Sequence, residues 1–150
     1  MKIYLKSPDN SRIIEFQNEN EVGAGFIGWQ PAAEQQITTY LLDKAKTSKL
    51  AEIKQVKDMK LYEPVFYMNK YFVASERASS NIMGSILLDE NTKWLDIDGN
   101  PINMTKQQMM ELANAIKNQR GKIYFIEAQQ SKAVENAKTI DDINKIIVNY

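Results

Sequence analysis

The sequence predicts an α+β fold: a short β-rich N-terminal part, then a helix-dominated C-terminal domain containing a β-hairpin. Three observations predict it. Apolar residues in the first thirty positions come in short runs broken by turn-forming clusters, as strands do. Two later stretches, 33–60 and 106–137, carry apolar residues at steps of three and four, the period of a helix face. Between them, Val65-Phe66-Tyr67 and Tyr71-Phe72-Val73 are dense in β-formers and flank a short connection, Met68-Asn69-Lys70. A chain of 150 residues suits one domain with a small appendage. The expected division is a β-rich part over 1–31, a long helix over 32–60 that would also suit a coiled coil, and an α+β domain over 61–150.

The elements follow in order. Residues 2–5 alternate, Ser7-Pro8-Asp9-Asn10-Ser11 is a turn cluster, and Ile13, Ile14 and Phe16 form a second run, which together predict a hairpin. Phe26-Ile27-Gly28-Trp29 is a third short apolar piece, and Pro31 is expected to stop it. The helix over 33–60 places Ile37, Tyr40, Leu41, Ala45, Leu50, Ile53 and Val56 on one side, with a slip between Ala45 and Leu50. Pro64 ends that stretch. Ser75 is a good N-cap, and Glu76 suits a helix start, so a helix is expected from Glu76 to about Leu88 with Ala78, Ile82, Ile86 and Leu87 inward. Trp94 to Ile97 reads as a strand, and Asp98-Gly99-Asn100-Pro101 as a tight turn. Thr105 and Gln108 form a capping box that opens a helix to about Ala137. Its stripe is Met109, Leu112, Ile116, Gln119, Ile123, Ile126, Gln130, Ala133 and Ala137, a heptad-like pattern with a bend expected at Gly121. Thr139 restarts a last short helix with Ile140, Ile143, Ile146 and Ile147.

Composition removes much chemistry. Cysteine and histidine are both absent, which excludes disulfides, thiol nucleophiles, Ser-His-Asp constellations and Cys- or His-ligated metals. Lys+Arg and Asp+Glu both number 19, so no net field draws the chain to nucleic acid or an anionic membrane. The longest apolar runs, such as Val65 to Met68, are far shorter than the roughly 20 residues that span a bilayer. The N-terminus turns polar after five residues, too soon for a secretory signal.

Few motifs survive inspection. Gly23-Ala24-Gly25-Phe26-Ile27-Gly28 matches G-x-G-x-x-G, but no buried strand precedes it and Pro31 interrupts any following helix, so a tight turn is the better reading. Asp96-Ile97-Asp98-Gly99-Asn100 resembles the start of a calcium loop, yet Thr105 stands where the closing Glu is needed. The acid pairs Asp89-Glu90 and Asp141-Asp142 have no accompanying nucleophile or base. Lys44, Lys46, Lys49, Lys54, Lys57 and Lys60 would give the long helix a cationic side, more simply a solvated face than a nucleic-acid surface. The aromatics of the middle third supply core or an interface anchor.

From Thr47 to Ile147 an ordered set of pieces resembles a domain-of-unknown-function family found in tailed-bacteriophage tail-fibre and tail-fibre-assembly proteins. Lys49-Leu50-Ala51-Glu52-Ile53-Lys54 is similar to its opening helix. Phe72, Ser75, Ser79, Ile82 and Gly84 follow, then Trp94, Asp98-Gly99 and Met104-Thr105, then Leu112-Ala113, Ala115-Ile116 and Phe125, then Ala137, Thr139, Ile143 and Ile146. Lys57 stands near a usual Arg, and Ile143 where Leu is usual. The resemblance implies a tail-associated structural or assembly role, with no catalytic motif to carry over.

The expected function is therefore non-enzymatic: a structural accessory of a phage tail fibre or baseplate that works by protein–protein contacts. Its localisation would be the virion tail after synthesis in the host cytoplasm. Its partners would be other tail or fibre proteins or further copies of itself, with no nucleic acid, membrane, metal or cofactor. A fibre-assembly chaperone and an inhibitor of a host protein are the alternatives. Ile37, Leu41, Phe66, Tyr67, Tyr71, Phe72 and Trp94 are the candidate partner-contact residues.

Overall fold

The computed structural model describes residues 1–88 and 92–150 and shows a mixed α+β architecture. A three-stranded antiparallel sheet comes first, followed by three main helices with two hairpins between them.

Strands β1 (Ile3–Lys6) and β2 (Ile13–Phe16) pair with Ile3 opposite Phe16 and Leu5 opposite Ile14. Asp9 ties their turn by accepting bonds from the Ser7 hydroxyl and from the Ser11 backbone and hydroxyl. The third strand corrects the expectation for Pro31. Gln30–Pro31 form β3 on the other edge of β1, with Leu5 opposite Pro31. A residue without an N–H is tolerated on an outer strand, so proline joins the sheet here instead of ending a strand. The apolar piece before it is no strand. Phe26 and Trp29 fold back over the sheet, with ring centroids 5.0 Å from Phe16 to Phe26 and 5.3 Å from Phe26 to Trp29. Leu5 and Phe16 are buried beneath them. The opposite face meets helix α1 (Glu34–Lys60), where Tyr4 packs edge-on against Tyr40 and Glu15 holds Lys44 at 2.8 Å.

Helix α1 runs as its periodicity predicts, and Gln36 accepts the Ala33 N–H at its start. The hairpin β4 (Val65–Tyr67) and β5 (Lys70–Phe72) follows, with a two-residue turn shorter than the sequence suggests. Met68 at φ 49 and Asn69 at φ 56 both adopt the left-handed conformation, as the tight turn of a twisted hairpin demands. Lys70 therefore belongs to the strand. Helix α2 (Glu76–Leu87) begins at Ser75, whose hydroxyl accepts the Ala78 N–H at 3.1 Å. Ile82 is buried on it, whereas Leu87 faces solvent, against expectation. Leu87 lies five residues from Ile82, about 140° round the helix.

The second hairpin is β6 (Thr92–Leu95) and β7 (Pro101–Met104). The partner strand β7 was hidden in the sequence by Pro101, which read as turn. Gly99 at φ 84 closes a three-residue loop in which the Gly99 N–H donates to the Asp96 carbonyl at 3.1 Å. Helix α3 (Lys106–Asn136) starts with the expected capping box and runs unbroken through Gly121. Its stripe drifts. Met109, Leu112, Ile116 and Ile123 are buried as expected, but Val134 is buried and Ala133 exposed. A helix of 3.6 residues per turn outruns a seven-residue repeat by about 20° per heptad, so the inward position has moved by one residue after three heptads. Thr139 caps the short helix α4 (Ile140–Asn144), which buries Ile143 but ends before Ile146 and Ile147.

One cluster joins Val65, Phe72, Ala74, Ile82, Met104, Met109, Leu112 and Ile116, with Tyr67, Ile86, Trp94 and Ile102 packed against it. It lies between the two hairpins, α2 and the first half of α3. The second half of α3 packs on α1 and α4 within the same chain, and Ile53, Ile123, Val134 and Ile143 are buried along those three helices. The C-terminal residues strap this seam: the Tyr150 hydroxyl donates to the Ile53 carbonyl at 3.1 Å, and Gln130 donates to the Asn149 carbonyl at 2.9 Å. Among the described residues, no helix is long and apolar enough to cross a membrane.

Candidate interaction face

The two hairpins break the usual economy of a half-buried sheet. A strand with one face in solvent alternates apolar and polar residues. Here Val65, Tyr67, Phe72 and Ala74 point into the core, and so do Trp94, Ile102 and Met104. Several of the intervening residues are also apolar, beside the polar Lys93 and Asn103: Phe66 is 57% exposed, Tyr71 52%, Val73 48%, Leu95 56% and Ile97 49%. Phe66 and Tyr71 are cross-strand partners whose ring centroids lie 5.0 Å apart. The Ile97 N–H donates to the Tyr71 carbonyl at 2.8 Å, which sets the second hairpin beside the first. Val73, Leu95 and Ile97 line one groove. The outer side of the two hairpins thus carries an exposed aromatic pair, Phe66 and Tyr71, and an apolar groove wall of Val73, Leu95 and Ile97, joined through the Ile97–Tyr71 backbone bond.

The candidate residues divide on this geometry. Phe66 and Tyr71 lie on the outer face. Tyr67 and Trp94 are half-buried against the core, and the Tyr67 hydroxyl donates to Glu111 at 2.6 Å. Burial, and then that carboxylate, push the Tyr67 phenol up to about 12. Phe72 is fully buried in the chain's own core, which removes it from any surface and corrects its place among the contact candidates. The sequence could not separate Phe72 from Tyr71, because both are aromatic and only the register decides which faces inward. Ile37 and Leu41 are half-buried on α1, apart from the hairpins. The sequence reading missed Val73, Leu95 and Ile97 as surface residues; their alternation with Ala74, Trp94 and Asp96 was the available signal.

The other motifs resolve into local structure. Gly28 has φ 85 in a turn that follows a 3-10 turn at Ala24–Phe26, and the G-x-G-x-x-G stretch neither follows directly on a strand nor opens an α-helix. Asp96 is buried, and its carboxylate accepts the backbone N–H groups of Asp98 and Asn100 and the Asn100 amide, with the Lys70 ammonium at 3.4 Å. The Asn100 backbone bond leads the causes that lower its pKa. The carboxylate is thus spent on the turn. Among the described residues no group of three acidic side chains is placed to hold a metal. Asp142 caps α4, and Asp141 pairs with Lys145. Asp89 and Glu90 lie outside the described residues. Of the lysines on α1, Lys44, Lys49, Lys57 and Lys60 pair with carboxylates and Lys46 donates to the Glu135 carbonyl, so most of that side is engaged within the chain. A cleft of about 500 Å³ between α1, α2 and α3 mixes Asp58 and Glu76 with Arg77 and Arg120, and Arg120 is already bonded to the Ala74 carbonyl.

No curated protein and no solved structure matches the chain. The span of the ordered motifs, 47–147, falls inside the match to one family, described as a domain of unknown function, DUF4376. That match runs over residues 44–148, from the middle of α1 past α4, and the chain belongs to this family.

Proposed function

We propose that the chain is a non-catalytic contact protein of a tailed-bacteriophage tail, an accessory of the fibre or baseplate that binds other tail proteins through the hairpin face. The observation that carries the contact role is the doubly apolar hairpin pair: Phe66, Tyr71, Val73, Leu95 and Ile97 stand in solvent on the back of strands whose other face is core. Contiguous apolar patches on the order of several hundred Å² mark contact surfaces on soluble chains. The lack of histidine and cysteine supports a role by shape. The tail assignment rests on the ordered resemblance over 47–147.

Mass spectrometry of purified phage particles tests the assignment. Stoichiometric presence with the fibre or baseplate proteins is expected. Absence from particles, with the chain bound to unassembled fibre in the infected cell, would replace it with an assembly chaperone. Absence from both would overturn the tail role.

A further inference from the structure

The hairpin face contains two strand edges that confront each other. In an antiparallel ladder only alternate residues bond across, and the others turn their N–H and C=O outward. The Asp96 N–H donates to the Asn100 carbonyl at 3.0 Å, and Leu95 lies opposite Pro101, which has no N–H. Trp94 and Ile102 therefore bond to each other, while Lys93 and Leu95 turn their backbone groups away from β7. On the first hairpin, the two-residue turn makes Tyr67 and Lys70 a bonded pair, so Tyr71 turns outward from β4. The two outward edges meet in the single bond from Ile97 to Tyr71. Beyond it the β6 edge faces Val73 and the start of α2 across a groove of about 510 Å³, with Arg77, Lys93, Leu95 and Ile97 in its lining.

We propose that this groove takes an extended acidic segment of a partner protein, added as a strand along β6. The inference rests on reading the hairpin face as a contact face, and it names the mode and the partner's chemistry. Exposed edges with outward N–H and C=O groups pair readily with an added strand. Lys93 and Leu95 lie two residues apart on one face, so an added strand meets Lys93 with an acidic side chain and extends the layer of Val73, Leu95 and Ile97 with apolar ones on that same face. Charge selects the occupant. Arg77 and Lys93 line the groove, and neither has a carboxylate partner among the described residues. The Asp96 carboxylate beside them is consumed by Asn100, Asp98 and Lys70. A second copy would bring its own Arg77 and Lys93 against these, and like charges facing across an interface are costly. An acidic strand meets the same groups with the opposite sign.

The test uses the full chain and two synthetic eight-residue peptides of valine and threonine, one carrying glutamate at every fourth position and one carrying lysine there, so that charged and apolar side chains share a face. The glutamate peptide is expected to slow amide exchange at Lys93 and Leu95 and to bind at least about tenfold tighter than the lysine peptide. Arg77→Glu with Lys93→Glu should reverse that order. Leu95→Pro removes one outward donor at a position that makes no bond to β7, and should abolish protection and binding. Equal binding of both peptides, or no protection at Lys93 and Leu95, overturns the proposal. If Leu95→Pro fails to fold, the charge reversal decides alone. Fibre-protein binding that is lost in Phe66→Ser yet unchanged by the charge reversal overturns strand addition and leaves the contact face standing.

Discussion

Met68 and Asn69 hold the left-handed conformation at φ 49 and φ 56 in the β4–β5 turn. Asparagine tolerates it, but a side chain such as methionine pays about 1–2 kcal/mol there. Met68→Asn should therefore raise stability by about 1 kcal/mol in urea unfolding. Two ionisable groups give opposite pH signatures. Hydrogen bonds from Ser7 and then Ser11 hold the Asp9 carboxyl down at about 2. Its folded pKa lies below the unfolded one, so its contribution is present above about 4 and is lost as pH falls toward about 2. The urea midpoint of the native chain should drop more across that window than that of Asp9→Asn. The Tyr67 phenol is held up at about 12 by burial and by Glu111. Its contribution is present below about 10 and is lost as pH rises toward about 12. An ultraviolet titration of the tyrosines should show a late-ionising one that disappears in Tyr67→Phe.

The elements carried most of the legible signal. Helices α1, α2 and α3 were readable because period and caps agreed: Ser75 caps α2, and Thr105 with Gln108 opens α3. Strands shorter than five residues were less legible, because two or three apolar positions define no period. Pro31 and Pro101 both looked like breaks and both proved to be strand residues at positions that need no N–H across the ladder. Phe72 was grouped with Tyr71, and Val73 and Leu95 were missed, because their inward and outward neighbours are equally apolar and composition there carries no register, whereas Ile97 between Asp96 and Asp98 was legible by alternation. Gly121 is the clearest test within an element. A Cβ there would meet nothing within 4 Å, and the helix passes through it unbroken. Gly121→Ala should stabilise the fold by about 0.5–1 kcal/mol.

At the scale of the molecule, the chain satisfies its seams internally and leaves its hairpins unfinished. Helix α3 links the two halves, with Leu112 and Ile116 buried against the hairpins and α2, and Ile123 and Val134 buried along the α1 seam. Ile116→Ala should cost about 2–5 kcal/mol by emptying a packed site. Ion pairs engage Lys44, Lys49, Lys57 and Lys60 of α1, while the outer side of the hairpins leaves Phe66, Tyr71, Val73, Leu95 and Ile97 exposed in the isolated chain. The most direct measurement is light scattering of the chain mixed with the tail-fibre protein proposed as its partner, native and with Phe66→Ser, Tyr71→Ser and Leu95→Ser combined. A defined complex that vanishes in the triple variant, with its helical content intact, is the predicted result. A native chain that stays monomeric beside the fibre protein, or a complex indifferent to all three changes, would contradict it.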